Sequence, residues 1–201
     1  VGEGSVLGPN FFSCGMTDVP VVATRVKKKL METDKIDIWC SQVEYADDCT
    51  PVMAADTEEE LQRASDEMLK GYNAFYSENG LNLNESKCKL LVIRPGKKVK
   101  TLTCAGQNEV ESLRLLGLHI DNKLTYRKHT EIVRGRLKAK IEALEKVQGK
   151  ASLKTMKEVT VALVHSTIEF MAELYLRDVT NQKRIQKMLN DAMRMLLDKP
   201  V

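Results

Sequence analysis

Paired cysteines are what this sequence most plainly lacks. Its five cysteines, at 14, 40, 49, 88 and 104, are odd in number, widely spaced and contain no C-x-x-C. That pattern speaks against a disulfide framework and a thiolate zinc site and fits a reducing compartment. An intracellular protein, nuclear or cytoplasmic and not secreted, is expected. The three histidines (119, 129 and 165) have no metal-ligand spacing, and no chemistry is assigned to them. Long apolar runs are missing too: nothing approaches the ~18 residues of a membrane span. The N-terminus has no basic, apolar and small-residue succession of a secretory signal. No membrane partner is therefore expected. Repeats and low-complexity tracts are also absent.

What remains is an ordinary globular composition, 43% apolar and 29% charged over 201 residues. That length suits one substantial domain or two small ones. The net charge of +3 says little about a partner. Its distribution says more, since residues 127–157 hold ten Lys or Arg against three Glu, a local +7.

Hydrophobic period divides the chain. A helix is expected from Ser5 or Gly8, and a second over 21–32 with Val22, Val26 and Leu30 inward and Lys27, Lys28 and Lys29 solvated. "IDIWCSQVEYADD" and "CTPVMAA" suit two strands of a hairpin, with Pro51 demoting the second strand or bulging it. Thr57 and Glu60 form a capping box for a helix over 57–79, striped by Leu61, Ala64, Met68, Tyr72 and Phe75 and stopped at Gly80. A turn and strand follow in "LNLNESKCKLLVI", then the basic loop "RPGKKVK". "SLRLLGLHIDNKLTY" predicts a strand, a turn at Asp121-Asn122 and the approach to a helix. Three helices are expected near 128–148, 153–176 and 181–197. Their stripes are Val133, Leu137, Ile141 and Leu144, then Met156, Leu163 and Met171, then Ile185, Leu189 and Leu196. The fold class is thus α+β, with mixed structure over 1–125 and an all-α region over 126–201.

Adjacent aspartates, Asp47 and Asp48, stand inside the strand-like stretch "SQVEYADDCTPV", although Asp is depleted in strands. Two carboxylates held there call for a cation, and Mg²⁺ takes carboxylate oxygens while keeping waters and phosphates. The competing reading is a solvated hairpin turn, where Asp is common. The succession "GSVLGPNFF", "YADD", "GLNLNESKCKLL" and "LRLLGLHIDNKLTY" resembles the reverse transcriptases of non-LTR retrotransposons. It covers residues 1–130, from the second motif of the palm to the thumb, with a weaker echo in "RIQKMLNDAMRMLL".

The resemblance implies a partial polymerase palm, an antiparallel sheet with packed helices, over 1–125 and a helical thumb-like bundle over 126–201. Asp47 matches the metal-binding carboxylate of the Y-x-D-D hairpin and Asp48 the second acid. Two Mg²⁺ ions would there activate the primer 3′-hydroxyl and stabilise the pyrophosphate leaving group. Lys87 matches a lysine that assists that leaving group; the alternative is a solvated surface lysine. Glu3, Gly4, Ser5, Gly8, Pro9 and Tyr45 match the nucleotide and template pocket, where absent side chains let a base pair approach the backbone. Leu116, Gly117 and Leu118 match the primer grip, a hairpin holding the primer end, although such leucines also suit a plain core strand. The +7 segment matches the thumb, with Arg134, Arg136, Lys138 and Lys140 on phosphates. The alternative is a solvated charged helix face. Arg134 and Lys138 share one face of that helix, and Arg136 and Lys140 another.

Two departures temper the activity implied. The family pattern Pro-Gln-Gly is Gly2-Glu3-Gly4 here, which puts an acceptor-only carboxylate beside a triphosphate. The family's first catalytic Asp precedes the motif at residue 1 and is not in these residues. A fragment of an RNA-directed DNA polymerase is therefore expected, inactive by itself, with RNA template, RNA–DNA hybrid and deoxynucleoside triphosphates as partners of the parent. The alternative is a non-catalytic remnant acting as an RNA-binding or protein-interaction module. Mg²⁺ is expected to bind the isolated chain weakly or not at all. A protein partner covering an exposed palm edge is also expected.

Overall fold

Thr57 opens α2 (Glu58–Glu78) by the reciprocal bonding its sequence predicts: its hydroxyl accepts from the Glu60 amide, and the Glu60 carboxylate accepts from the Thr57 amide. Gly80, at φ +70°, ends the helical run. In a computed structural model describing residues 17–45, 48–96 and 100–197, α2 is the centre of the first of two compact units, which part between Val110 and Glu111.

α1 (Val19–Lys29), continued by a π turn over Leu30–Asp34, lies against α2 and buries Val22, Val26 and Leu30. Gly71 lets the two helices close up, for a Cβ there would stand 2.9 Å from Val22 Cγ1 and 3.0 Å from Val26 Cγ2. β1 (Trp39–Tyr45) and β2 (Asp48–Ala54) pair antiparallel, as expected, in one-to-one register from Trp39–Ala54 to Tyr45–Asp48. Pro51 therefore makes no bulge. Each strand is an edge of a two-stranded sheet, and an edge tolerates a residue with no amide hydrogen. One face of the hairpin packs Cys40, Cys49 and Met53 on the core shared with Met68, Tyr72 and Tyr76.

The α2 stripe differs from expectation in one place. Leu61 and Phe75 are half-buried, whereas Glu67 is only 4% exposed. Lys29 and Lys70 donate to its two oxygens, and these bonds hold its carboxyl down to about 2. The predicted strand within 81–93 does not form. A 3₁₀ turn (Glu85–Lys87) takes its place, and Leu91 makes only an isolated parallel bridge to Val110. The physical cause is polar side-chain bonding at the start of the segment, where Asn73 donates to Glu85 and Ser86 to Asn84. Beyond it, Arg94 lies between Glu58 and Glu109, and the Lys100 and Leu102 amides donate to the same two carboxylates. β3 (Thr103–Cys104) and β4 (Gln107–Asn108) close this unit as a small hairpin.

The second unit begins with β5 (Ser112–Leu115) and β6 (Leu118–Asp121), joined through Leu116 and Gly117 at φ 46° and 90°. Two successive positive φ values fit the right-handed twist of a tight hairpin. The expected turn after Asp121 is also present, its carboxylate accepting from the Lys123 and Thr125 amides. This hairpin packs on α3 (Arg127–Glu145), where His129 Nδ1 accepts from the His119 amide at 3.4 Å. The division therefore precedes the hairpin at 110, rather than following it at 125.

Val133, Leu137, Ile141 and Leu144 of α3 are all buried, as predicted. The next predicted helix is broken up. α4 (Leu153–Thr160) runs into a π turn (Val161–His165), α5 (Ser166–Glu169) and, after Met171 at φ 56°, α6 (Ala172–Tyr175). Its stripe is Met156, Thr160, Val164 and Ile168, while Leu163 and Met171 are exposed. A strict four-residue spacing drifts around a 3.6-residue helix, and the wider π turn absorbs the drift. α7 (Val179–Leu196), capped by Asp178, completes the unit and buries Ile185. The described residues are thus mixed α+β, with three small antiparallel sheets. None of their helices is long and apolar enough to cross a membrane.

Candidate functional site

Alternation along the β1–β2 hairpin puts Cys40, Cys49 and Met53 on the core side and Asp48 on the opposite face. Trp39, Val43 and Tyr45 alternate on the outer face of β1, and Val52 joins them from β2; all four are exposed. Tyr45, 66% exposed, is the register partner of Asp48, the first residue of β2, which is also exposed. Asp47 lies outside the described residues, as do Glu3, Gly4, Ser5, Gly8 and Pro9.

Beneath the hairpin sits a cluster that sequence alone did not suggest. The Tyr72 hydroxyl donates to Gln42 Oε1, and burial raises the Tyr72 and Cys49 hydroxyl and thiol above their ordinary values. Tyr76, also held by burial, is pushed up to about 12. These groups stay neutral and anchor the hairpin to α2. The outer face of its described residues is exposed. Asp48 offers there a hard, solvent-facing carboxylate oxygen of the kind Mg²⁺ takes. Among the described residues no cluster of three or more His, Cys, Asp or Glu side chains is suited to a metal ion.

Lys87 is exposed at the end of the 3₁₀ turn that follows α2. Leu116 is 38% exposed and Leu118 buried. Gly117 does admit a close approach, but by Phe170 of its own unit, whose Cζ would lie 3.2 Å from a Cβ at that position. The helical cations are unequally engaged. Arg134 pairs with Glu131 at 2.7 Å and Lys138 with Glu142 at 3.7 Å. Lys140 donates to the Leu163 carbonyl at 3.0 Å and to Thr167 Oγ1, fastening α3 to the π turn and α5. Arg136 is exposed and has no ion-pair partner among the described residues.

The histidines taken singly in the sequence are not separate in the structure. His119 and His129 lie with ring centroids 6.5 Å apart, and Tyr175 meets His129 edge-on at 5.0 Å. Burial and then the Lys128, Arg114 and Arg136 charges push His119 below its ordinary value; burial, His119 and Arg136 do the same to His129. Ten residues and a turn separate the two in sequence, so no spacing rule would have joined them. The chain matches no family model, and no curated protein or solved structure is detectably similar to it.

Proposed function

We propose that the chain is the palm and thumb portion of a retrotransposon-type RNA-directed DNA polymerase, active only as part of a longer parent. The observation that carries this reading is the antiparallel hairpin that closes with Tyr45 opposite Asp48 at a solvent-facing end. The quoted motifs in their order support it from the sequence side. Asp47 and Asp48 would hold Mg²⁺, which when bound supplies charge stabilisation to nucleotidyl transfer. Asp48 contributes an exposed carboxylate, Tyr45 a flat apolar surface beside it, and Lys87 a mobile cation for a leaving phosphate. One or two carboxylates leave most of the metal's octahedron to water, so affinity for Mg²⁺ is about millimolar.

A labelled RNA–DNA hybrid tests the reading by fluorescence anisotropy. Binding that is indifferent to sequence, falls steeply between low and moderate salt and weakens on Arg136→Glu is expected, because counterion release drives it. Affinity that hardly changes with salt would sink the thumb assignment. Calorimetric titration giving micromolar Mg²⁺ binding that Asp48→Ala abolishes would overturn the view of an incomplete metal site.

A second reading, a non-catalytic module that binds RNA or protein, draws on the exposed Trp39, Val43, Tyr45 and Val52 face of the hairpin. Hybrid binding that takes no part of its strength from Mg²⁺ or Asp48 would favour it.

A further inference from the structure

In the second unit, side-chain alternation places Ser112 and Arg114 of β5 on the same face as their register partners Asp121 and His119 of β6. That face meets the start of α3: Lys128 Nζ lies 3.3 Å from Ser112 Oγ, and His129 Nδ1 accepts from the His119 amide. Seven residues, close to two helical turns, separate His129 from Arg136, so both lie on one side of α3. Arg114, Lys128 and Arg136 thus bring three positive charges within electrostatic reach of His119, and Arg136 also acts on His129.

Several other cations of α3 and α7 are spent within the unit. Glu131 takes Arg134 and Arg184, Glu142 takes Lys138, and Lys140 caps backbone and a threonine. Arg114 and Arg136, both exposed, have no ion-pair partner among the described residues. Asp121, the carboxylate on that face of the hairpin, is occupied by the Lys123 and Thr125 amides and the Thr125 hydroxyl. The first turn of α3 holds no acid, and it stacks Arg127, Lys128 and His129 on the positive end of the helix dipole. Two buried imidazole nitrogens, His119 Nδ1 and His129 Nε2, have no hydrogen-bond partner. Asp121 keeps its negative charge and water screens the exposed Arg114 and Arg136, yet the cations still outnumber the acid on this face, and an anion entering it would meet net attraction.

We propose that Arg114, Lys128 and Arg136, with His119, form a binding site for one phosphate group. A planar guanidinium fork can donate to two oxygens of a tetrahedral phosphate at once, and Lys128 adds a point charge. His119 reports occupancy, because the bound anion offsets the Lys128, Arg114 and Arg136 charges that, after burial, oppose its protonation. The site does not depend on the polymerase reading, since it rests on the second unit alone.

NMR titration of the His119 Cε1–H resonance in the full chain tests it, with the signal assigned by its loss in His119→Gln. Added inorganic phosphate should move the His119 titration to higher pH, half-maximally at about millimolar phosphate, and sodium chloride at equal ionic strength should move it less. In the double variant R114Q/R136Q, His119 should titrate higher even without phosphate, and phosphate should no longer shift it. Both positions are exposed, and a thermal melt confirms that the variant folds. An equal shift with chloride, or a phosphate shift that survives the double variant, would overturn the site. An RNA–DNA hybrid lacking terminal phosphates reproduces the shift if the group is a backbone phosphodiester, and leaves it unchanged if the group is a free or terminal phosphate.

Discussion

Glu67 shows how one side chain is decided by its neighbours. It sits on the inward side of α2, yet it remains ionised because Lys29 of α1 and Lys70 of its own helix donate to it. Both lysines are largely exposed, so solvent screens part of the attraction. Glu67→Gln keeps the shape but halves the bonding, and should cost about 1–3 kcal/mol in urea unfolding at neutral pH. The sign of its pH dependence follows from a folded value held near 2 against an ordinary 4.5. A depressed carboxyl stabilises fully above its unfolded value and loses that contribution as pH falls from 4.5 toward 2. The deficit of the variant should therefore shrink over that window; a deficit equal at pH 7 and pH 2.5 would count against the ion pair as its cause. Nothing in the sequence marked Glu67, because the period of α2 counts it among residues near the apolar stripe without saying which lysines reach it.

Elements differ in how far their sequences carry. α2 forms from its capping box to Gly80 because cap, stripe and stop agree. α3 forms likewise. The helix expected over 153–176 fails because its buried residues, Met156, Thr160, Val164 and Ile168, recur every four positions, and two of its hydroxyls, Ser166 and Thr167, donate back to the Ala162 and Leu163 carbonyls. Two glycines inside helices make a direct comparison. Gly71→Ala would press a methyl into Val22 and Val26 and should destabilise by about 1 kcal/mol or more, overpacking outweighing the gain in propensity. Gly135, in α3, has nothing within 4 Å of the corresponding Cβ. Gly135→Ala should therefore stabilise by about 0.5–1 kcal/mol. Thermal unfolding of the two variants tests the helix contact, and a stabilised Gly71→Ala would disprove the close packing of α1 on α2.

At the scale of the whole molecule the two units should part company in acid. Lowered His119 and His129 mean that the folded second unit binds fewer protons than its unfolded chain. Its stability is then full above the ordinary value near 6.5 and declines as pH falls through that value toward the lowered ones. The first unit contains no histidine, and its lowered carboxyls Glu67 and Glu59 lose their contribution as they begin to protonate, below 4.5. Urea unfolding at pH 7.5 and 5.5, followed through amide signals of each unit, should show residues 111–197 weakened at the lower pH and residues 17–110 little changed. Equal weakening of both units, or of the first alone, would contradict the role given to the histidine pair.

The sequence by itself determined the helix whose cap, stripe and stop agree, the pairing of β1 and β2 as a hairpin, the mixed α+β class, and the cations gathered in 127–157. These are local properties, set within one or two turns of chain by side-chain period and backbone preference. It also carried the motif resemblance and the candidate pair Asp47 and Asp48. Only the tertiary structure decided that the hairpin 112–121 belongs with the helices, that Leu91 bridges to Val110 instead of joining a strand, and that Lys140 is consumed inside its own unit. It alone brought His119 to His129 and left Arg114 and Arg136 without an ion-pair partner among the described residues. The reason is physical: whether a charge is paired, or a strand has a neighbour, depends on groups far away in sequence, and no local period encodes their approach.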